Sequence, residues 1–263
     1  MAKRTYSVRY IAGEPAKRIQ PTPVHMLGES LPIGMPLFAA GETLDVVTWN
    51  IYKQQRPNWK IMLRELVVDR KLILLQEAQM SPELISFAAS HQLIADQVPA
   101  LPFSPHPAGV MTLATSHPIY CCPLREKEPL LRLAKSALIT VYPLPNGKQL
   151  MVANVHAINF SFGVDVYTKQ LNKLGTHISK HMGPVLLAGD FNAWSRQRIN
   201  ALKRFIRSVG LKEVTYNLDL RTKAFGRPLD FMFYRGLKLK ESRVLQTDAS
   251  DHNPIITQFD LLK

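Results

Sequence analysis

From Leu44 onward, uninterrupted apolar runs alternate with segments of helical period, whereas the residues before it carry neither rhythm. The runs 44–52 (LDVVTWNIY) and 71–78 (KLILLQEA) read as strands buried on both faces, because short apolar stretches bounded by turn formers suit the middle of a sheet. Between them, 58–68 (NWKIMLRELVV) has the amphipathic period of a helix, and this strand, helix, strand order predicts both strands in one sheet. A second helix is expected near 81–92, with Ser81 as N-cap and Pro82 at its first position. Strands follow at 109–115, 136–144 and 148–157, the last two joined across 145-PNG-147 as a hairpin. A helix over 164–180, a strand at 185–190, a helix after Trp194 and strands at 229–236, 237–246 and 254–262 complete the pattern. Mixed strands and helices with hairpins predict an α/β sandwich of sheets covered by helices. Residues 1–43, rich in Pro, Gly and small side chains, are expected to form an irregular arm on a single domain spanning 44–263.

Polar residues interrupt this pattern at the strand ends. The stretch 185-VLLAGDFNAWS-195 runs from apolar residues into Asp190 and Asn192, which in extended geometry share one face while Phe191 turns to the core. Asn192 would alternatively cap the helix that follows. Other strands do the same: 44–52 carries Asn50, 71–78 ends in Gln76 and Glu77, 148–157 ends in Asn154 and His156, 229–236 carries Asp230 near its start, and 250-SDHNP-254 precedes the last strand. Buried carboxylates are costly unless paired, hydrogen-bonded or bound to a metal, so these ends predict a shared polar pocket. Its oxygen donors and lack of cysteine suit a hard cation, Mg²⁺ or Mn²⁺. His252 beside an acidic partner has the makings of a general base, and His156 and Asn192 of donors to a phosphoryl oxygen. The sequence has no HExxH, no G-x-S-x-G and no phosphate-binding glycine loop, which weighs against zinc hydrolysis, a serine triad and nucleotide-loop chemistry.

Charge points toward a polyanionic partner. The net charge is +13, from 33 Lys and Arg against 20 Asp and Glu. Two basic clusters lie near the candidate chemistry: Arg196, Arg198, Lys203, Arg204 and Arg207, and Arg221, Lys223 and Arg227. Arg132 is a further candidate for phosphate contact, and Trp194 for stacking, while Trp49 and Trp59 read as core. Adjacent Cys121 and Cys122 read as reduced, buried thiols. No transmembrane-length run and no signal-peptide core is evident, so a cytoplasmic location is expected.

Taken in order, 48-TWNIY-52, 75-LQEA-78, 154-NVHA-157, 189-GDFN-192, 229-LDF-231 and 250-SDHNP-254 resemble the signature of the endonuclease/exonuclease/phosphatase superfamily, and the whole chain is similar to its bacterial YafD-like branch. The resemblance implies a four-layer α/β/β/α sandwich of two mixed sheets flanked by helices, with the site at one edge of both sheets. It implies Glu77 as principal metal ligand, helped by Asn50 and Asp251. Asp190 and Asn192 would position water and phosphate, His156 would bind a phosphoryl oxygen, and Asp230 would pair with His252, favoured as the base over the alternative, Asp190. The implied activity is Mg²⁺-dependent hydrolysis of a phosphodiester, first of a nucleic-acid backbone, alternatively of a lipid or small phosphoester. A third reading is a phosphate-binding protein without turnover.

Overall fold

In the computed structural model, residues 5–21, 35–100, 106–128, 134–161 and 163–262 are described. The chain order is β1 (Ser7–Tyr10), β2 (Lys17–Ile19), β3 (Leu44–Asn50), α1 (Trp59–Val67), β4 (Leu72–Gln79), α2 (Pro82–Ser90), β5 (Ile94–Pro99), β6 (Ala108–Ala114), β7 (Tyr120–Lys127), β8 (Ala134–Pro143) and β9 (Gln149–His156). It continues through α3 (Asp165–Ile178), β10 (Val185–Asp190), α4 (Arg196–Ser208), β11 (Lys212–Glu213), β12 (Lys223–Ala224), β13 (Arg227–Pro228), β14 (Asp230–Arg235), β15 (Leu237–Val244) and β16 (Ile255–Leu261). An eight-stranded sheet runs β15-β16-β3-β4-β6-β5-β1-β2, a six-stranded sheet runs β11-β14-β10-β9-β8-β7, and β12 and β13 form a small hairpin.

Three apolar layers hold these sheets and helices together. Leu44, Val46, Leu72 and Leu74 of the first sheet pack against Leu150, Val152, Leu186, Ala188 and Met232 of the second. The outer face of the first sheet, through Val47, Ile73 and Leu75, packs on Leu63 and Leu66 of α1 and Leu84 and Phe87 of α2. The outer face of the second packs on Leu171 and Leu174 of α3 and Leu202 and Phe205 of α4. The result is the four-layer α/β/β/α sandwich, with each buried Leu or Phe contributing roughly 1.5–3 kcal/mol of apolar transfer.

Most expected elements form where the periodicity places them. β3 and β4 are parallel neighbours linked by α1. Ser81 Oγ accepts from Leu84 N with Pro82 next to it, capping α2 as expected. β8 and β9 pair antiparallel across the 145–147 turn, where Gly147 has φ 75°. The N-terminal segment is less irregular than its composition suggests, since β1 and β2 extend the edge of the larger sheet and β1 pairs with β5. Strands β5 and β7 also form where none was expected. Cys121 and Cys122 are buried free thiols whose adjacent positions on β7 face different apolar clusters. Arg132 lies outside the described residues.

Candidate functional site

The period of two that builds the inter-sheet core also builds the site. On β3 the inward face reads Leu44, Val46, Thr48, Asn50; on β4, Leu72, Leu74, Gln76; on β9, Leu150, Val152, Asn154, His156; on β10, Leu186, Ala188, Asp190; and on antiparallel β14, which starts at the polar edge, Asp230 and then Met232. Each strand therefore runs from apolar to polar toward the same edge. Register completes the convergence: Asp190 stands opposite His156 on one side and Asp230 on the other.

The polar end has two levels. Gln76 and Asn154, expected in the pocket, instead tie the sheets together below it. Gln76 Nε2 donates to Asn154 Oδ1 at 2.8 Å and Thr48 Oγ1 at 3.1 Å, and Asn154 Nδ2 donates to the carbonyls of Leu75 and Met111 at 3.1 and 2.9 Å. Above them, Asn50 Nδ2 donates to Asp190 Oδ2 at 3.1 Å, joining the two sheets at the site itself. Glu77 reaches this level by breaking the alternation. It has φ 51°, and the β4–β6 register shifts between Leu75 and Ala78, so its partly exposed carboxylate turns to the edge.

Asp190 depends on its neighbours' backbones. Gly189 has φ 140°, and a Cβ there would stand 1.9 Å from the Val155 carbonyl oxygen, so only glycine allows this approach of β10 to β9. Asp190 Oδ1 accepts from Asn192 N at 2.9 Å, and Asn192 Nδ2 donates to the Ala157 carbonyl at 3.0 Å. Asn192 is left-handed, φ 46°, so it curls over Asp190 rather than continuing the strand. It does not cap α4: that role belongs to Ser195, whose Oγ accepts from Arg198 N at 3.2 Å.

His252 Nδ1 lies 2.7 Å from Asp230 Oδ2. The loop that carries His252 is pinned by Ser250 Oγ donating to the Asn50 carbonyl at 2.6 Å and by Trp49 Nε1 donating to the His252 carbonyl at 2.9 Å. Burial alone would lower the imidazole, but Asp230, Asp190 and Asp251 outweigh it and push His252 up to about 10. Burial raises Asp190 to about 6, with the His252 charge opposing that rise. The pairing of Nδ1 with Asp230 leaves Nε2 of His252 for chemistry at the site. Asp251 is exposed, and its carboxylate meets Ser250 Oγ at 3.3 Å rather than joining Asn50 and Glu77.

Two lysines missed in the sequence reading stand in the middle of the cluster. Lys135 Nζ is 2.7 Å from His156 Nε2 and 3.8 Å from Glu77 Oε1, and Lys53 Nζ is 3.9 Å from Glu77 Oε2. An ammonium only donates, so the Lys135 contact assigns His156 Nε2 as acceptor. Burial, with Lys135, His252 and Lys53 nearby, lowers His156 well below its ordinary value and keeps it neutral. Lys135 thus brings an ammonium to the same place as His156, beside Glu77. Lys53 sits in a left-handed turn, φ 51–55° over Tyr52, Lys53 and Gln54, fastened by Gln54 pairing both ways with the Gln79 backbone. The available signals were a lone lysine at the start of an apolar strand and another just after a strand end.

Two arginines of the basic clusters are structural. Arg198 is buried, and its guanidinium donates to the carbonyls of Ile158, Asn159 and Asn192 and to Ser161 Oγ. Arg221 is held by Asp219 and Glu213 and donates to the Asp230 carbonyl at 3.3 Å. Beside Glu77, Lys135 and His156 opens a cleft of about 520 Å³ that extends past Gly109 to His106 and Phe160.

The donor set fits a hard divalent cation. Magnesium takes one or two protein carboxylates and keeps several waters, and Glu77, Asn50 and Asp190 supply oxygen atoms and no sulfur. Among the described residues no group of three or more His, Cys, Asp or Glu could hold a metal ion.

A two-sheet sandwich whose strand ends gather carboxylates, carboxamides and histidines at one edge is the scaffold of a class of phosphoric ester hydrolases. The sequence profile of the Endonuclease/Exonuclease/phosphatase family matches residues 47–252, and the chain belongs to that family. A UPF0294 protein of Photorhabdus laumondii is 62% identical over 259 residues, covering 98% of this chain and 100% of its own length. Among solved structures, the human Nocturnin catalytic domain with bound sulfate anion superposes with TM-score 0.64 at 18% identity, covering 88% of this chain and 97% of that one. D. rerio TDP2 complexed with single-strand DNA product superposes with TM-score 0.55 at 13% identity, covering 83% of this chain and 99% of that one.

Proposed function

We propose that this chain is a divalent-cation-dependent phosphodiesterase that hydrolyses a nucleic-acid backbone. The observation that carries the hydrolytic reading is the Asn50–Asp190 contact at 3.1 Å, which joins the two sheets where Glu77, His156, Asp230 and His252 also converge. Glu77 and Asn50 would hold Mg²⁺ or Mn²⁺, which when bound offsets charge on the phosphate and orients water. Lys135 and Lys53 donate to the phosphoryl oxygens from the cleft side. His252, paired with Asp230 through Nδ1, donates to the phosphate, and Asp190, held by Asn192 N and Asn50 Nδ2, takes the proton from the attacking water. The nucleic-acid reading is supported by the net charge of +13 and by likeness in fold to a TDP2 that binds a single-strand DNA product.

A compact phosphoester, free or on a lipid, is the second reading, favoured by the cleft of about 520 Å³ beside Glu77. Hydrolysis of bis-p-nitrophenyl phosphate and of labelled single- and double-stranded DNA and RNA, with Mg²⁺, Mn²⁺ or EDTA, separates the two. Metal-dependent cleavage of a polymer that Glu77→Ala abolishes supports the nuclease. Turnover of the small diester alone turns the reading to a compact substrate. A folded protein that binds cation and turns over nothing refutes both.

A further inference from the structure

We propose that the β12–β13 hairpin and Trp194 form a stacking platform for the bases of single-stranded nucleic acid beside the site; this rests on the nucleic-acid reading above. The hairpin grows directly out of the catalytic cluster. Leu229 N donates to the Thr222 carbonyl at 3.0 Å at its base, and Phe191 N donates to the Leu229 carbonyl at 2.8 Å. Thr222 Oγ1 donates to the Asp251 carbonyl at 3.3 Å and accepts from Asn253 N at 3.0 Å, so the stalk is fixed to the loop that carries His252. With two residues in each strand, the tip stands roughly 10 Å beyond this root, at about 3.3 Å per residue.

The tip is built from an unfavourable residue. Phe225 and Gly226 have φ 51° and 73°, the left-handed pair that a tight hairpin turn requires and that Asn-Gly or Asp-Gly ordinarily fills. Phenylalanine there is strained in its backbone and 82% exposed, so it serves no core. Beside it stands Trp194, ring centroids 5.9 Å apart and planes tilted by 56°. Trp194 is held by its Nε1 donating to Asn159 Oδ1 at 3.0 Å and by the Arg198 guanidinium 4.9 Å from its ring centroid.

Charge selects the occupant. Lys223 and Arg196 are exposed, and Arg227 folds across the turn with Nη1 donating to the Phe225 carbonyl at 3.1 Å. Two aromatic rings among cations recognise a base stack and its phosphates without reading sequence. A membrane would ask for a broader apolar face, and the tip offers one ring between Lys223 and Arg227.

The test uses the full chain and a fluorescein-labelled oligothymidylate in EDTA, read by anisotropy, alongside turnover of bis-p-nitrophenyl phosphate with Mg²⁺ or Mn²⁺. Phe225→Ala should weaken oligonucleotide binding roughly tenfold and Phe225→Tyr should restore it. Both should leave small-diester turnover unchanged, since Phe225 touches none of the groups assigned to catalysis. An oligomer with abasic positions should bind wild type as weakly as the thymidylate binds Phe225→Ala. Equal binding by wild type and Phe225→Ala, in a protein that still binds and cleaves nucleic acid, overturns the platform and spares the activity. Wild type that turns over the diester and binds no oligonucleotide overturns the nucleic-acid reading and the platform with it. Phe225-dependent binding to anionic phosphatidylglycerol vesicles, without oligonucleotide binding, reassigns the tip to a membrane.

Discussion

Asp230 Oδ2 stands 2.7 Å from His252 Nδ1, and both side chains are buried at the edge of the two sheets. The pair makes metal-free stability depend on alkaline pH. The folded protein holds the His252 proton up to about 10, against 6.5 for a free imidazole, because Asp230, Asp190 and Asp251 outweigh the effect of burial. A pKa raised on folding stabilises fully below the unfolded value, and the gain is lost as pH rises through the folded value. The melting temperature in EDTA should therefore fall between pH 7 and 10, and His252→Gln should flatten that slope. A wild-type melting temperature that stays level over this range would refute the ion pair.

With Asp190 as the proposed base, the acidic limb of turnover should report its titration. Its carboxyl is raised to about 6 by burial, and the His252 charge restrains the rise. His252→Asn should cut kcat by a factor of about 10²–10⁴ while keeping the acidic limb and moving it to higher pH. Disappearance of the limb in that variant would instead make His252 the base.

Glu77 is the proposed principal ligand of the cation. Wild type at a cation concentration one hundred times Kd should gain about 2.7 kcal/mol of stability. Glu77→Gln should lose most of that gain, read as the Mg²⁺ or Mn²⁺ shift in a thermal melt. A variant with the full shift would place the cation elsewhere.

Lys135 is proposed to bind the anion. Lys135→Met removes the ammonium 2.7 Å from His156 Nε2 and 3.8 Å from Glu77 Oε1. Turnover should drop by about 10²–10³, and His156, relieved of an adjacent cation, should titrate at higher pH by NMR. Unchanged turnover would assign Lys135 to charge balance alone.

Gly189→Ala tests the backbone under Asp190. The added Cβ would meet the Val155 carbonyl oxygen at 1.9 Å from a backbone at φ 140°, so β10 and β9 must part. A loss of about 3 kcal/mol or more is expected in chemical denaturation. A loss under about 1 kcal/mol would mean that the strands tolerate separation.

Local patterning determined most of the elements. The apolar runs of β3, β4 and β10 and the capped start of α2 follow from side-chain period and turn chemistry, which act over a few residues. The polar strand ends likewise brought Asn50, Glu77, His156, Asp190, Asn192, Asp230 and His252 into view, since a carboxylate at the end of an apolar run needs a partner. β5 stayed hidden because its sequence carries Asp96 and Gln97, and Asp96 is made tolerable by Arg9 at 2.8 Å from a strand far away in the chain.

Only the tertiary structure decided which polar residues share a level. Asn154 looks like His156 in the sequence but sits two residues nearer the core on its strand, and Gln76, in register with Asn50, turns its amide to Asn154 across the interface between the sheets. Arg198 and Arg221 read as surface charge until the carbonyls and carboxylates they satisfy come together. Lys53 and Lys135 come to Glu77 the same way. Electrostatic roles depend on distances between segments remote in sequence, and those distances exist only once the two sheets have packed.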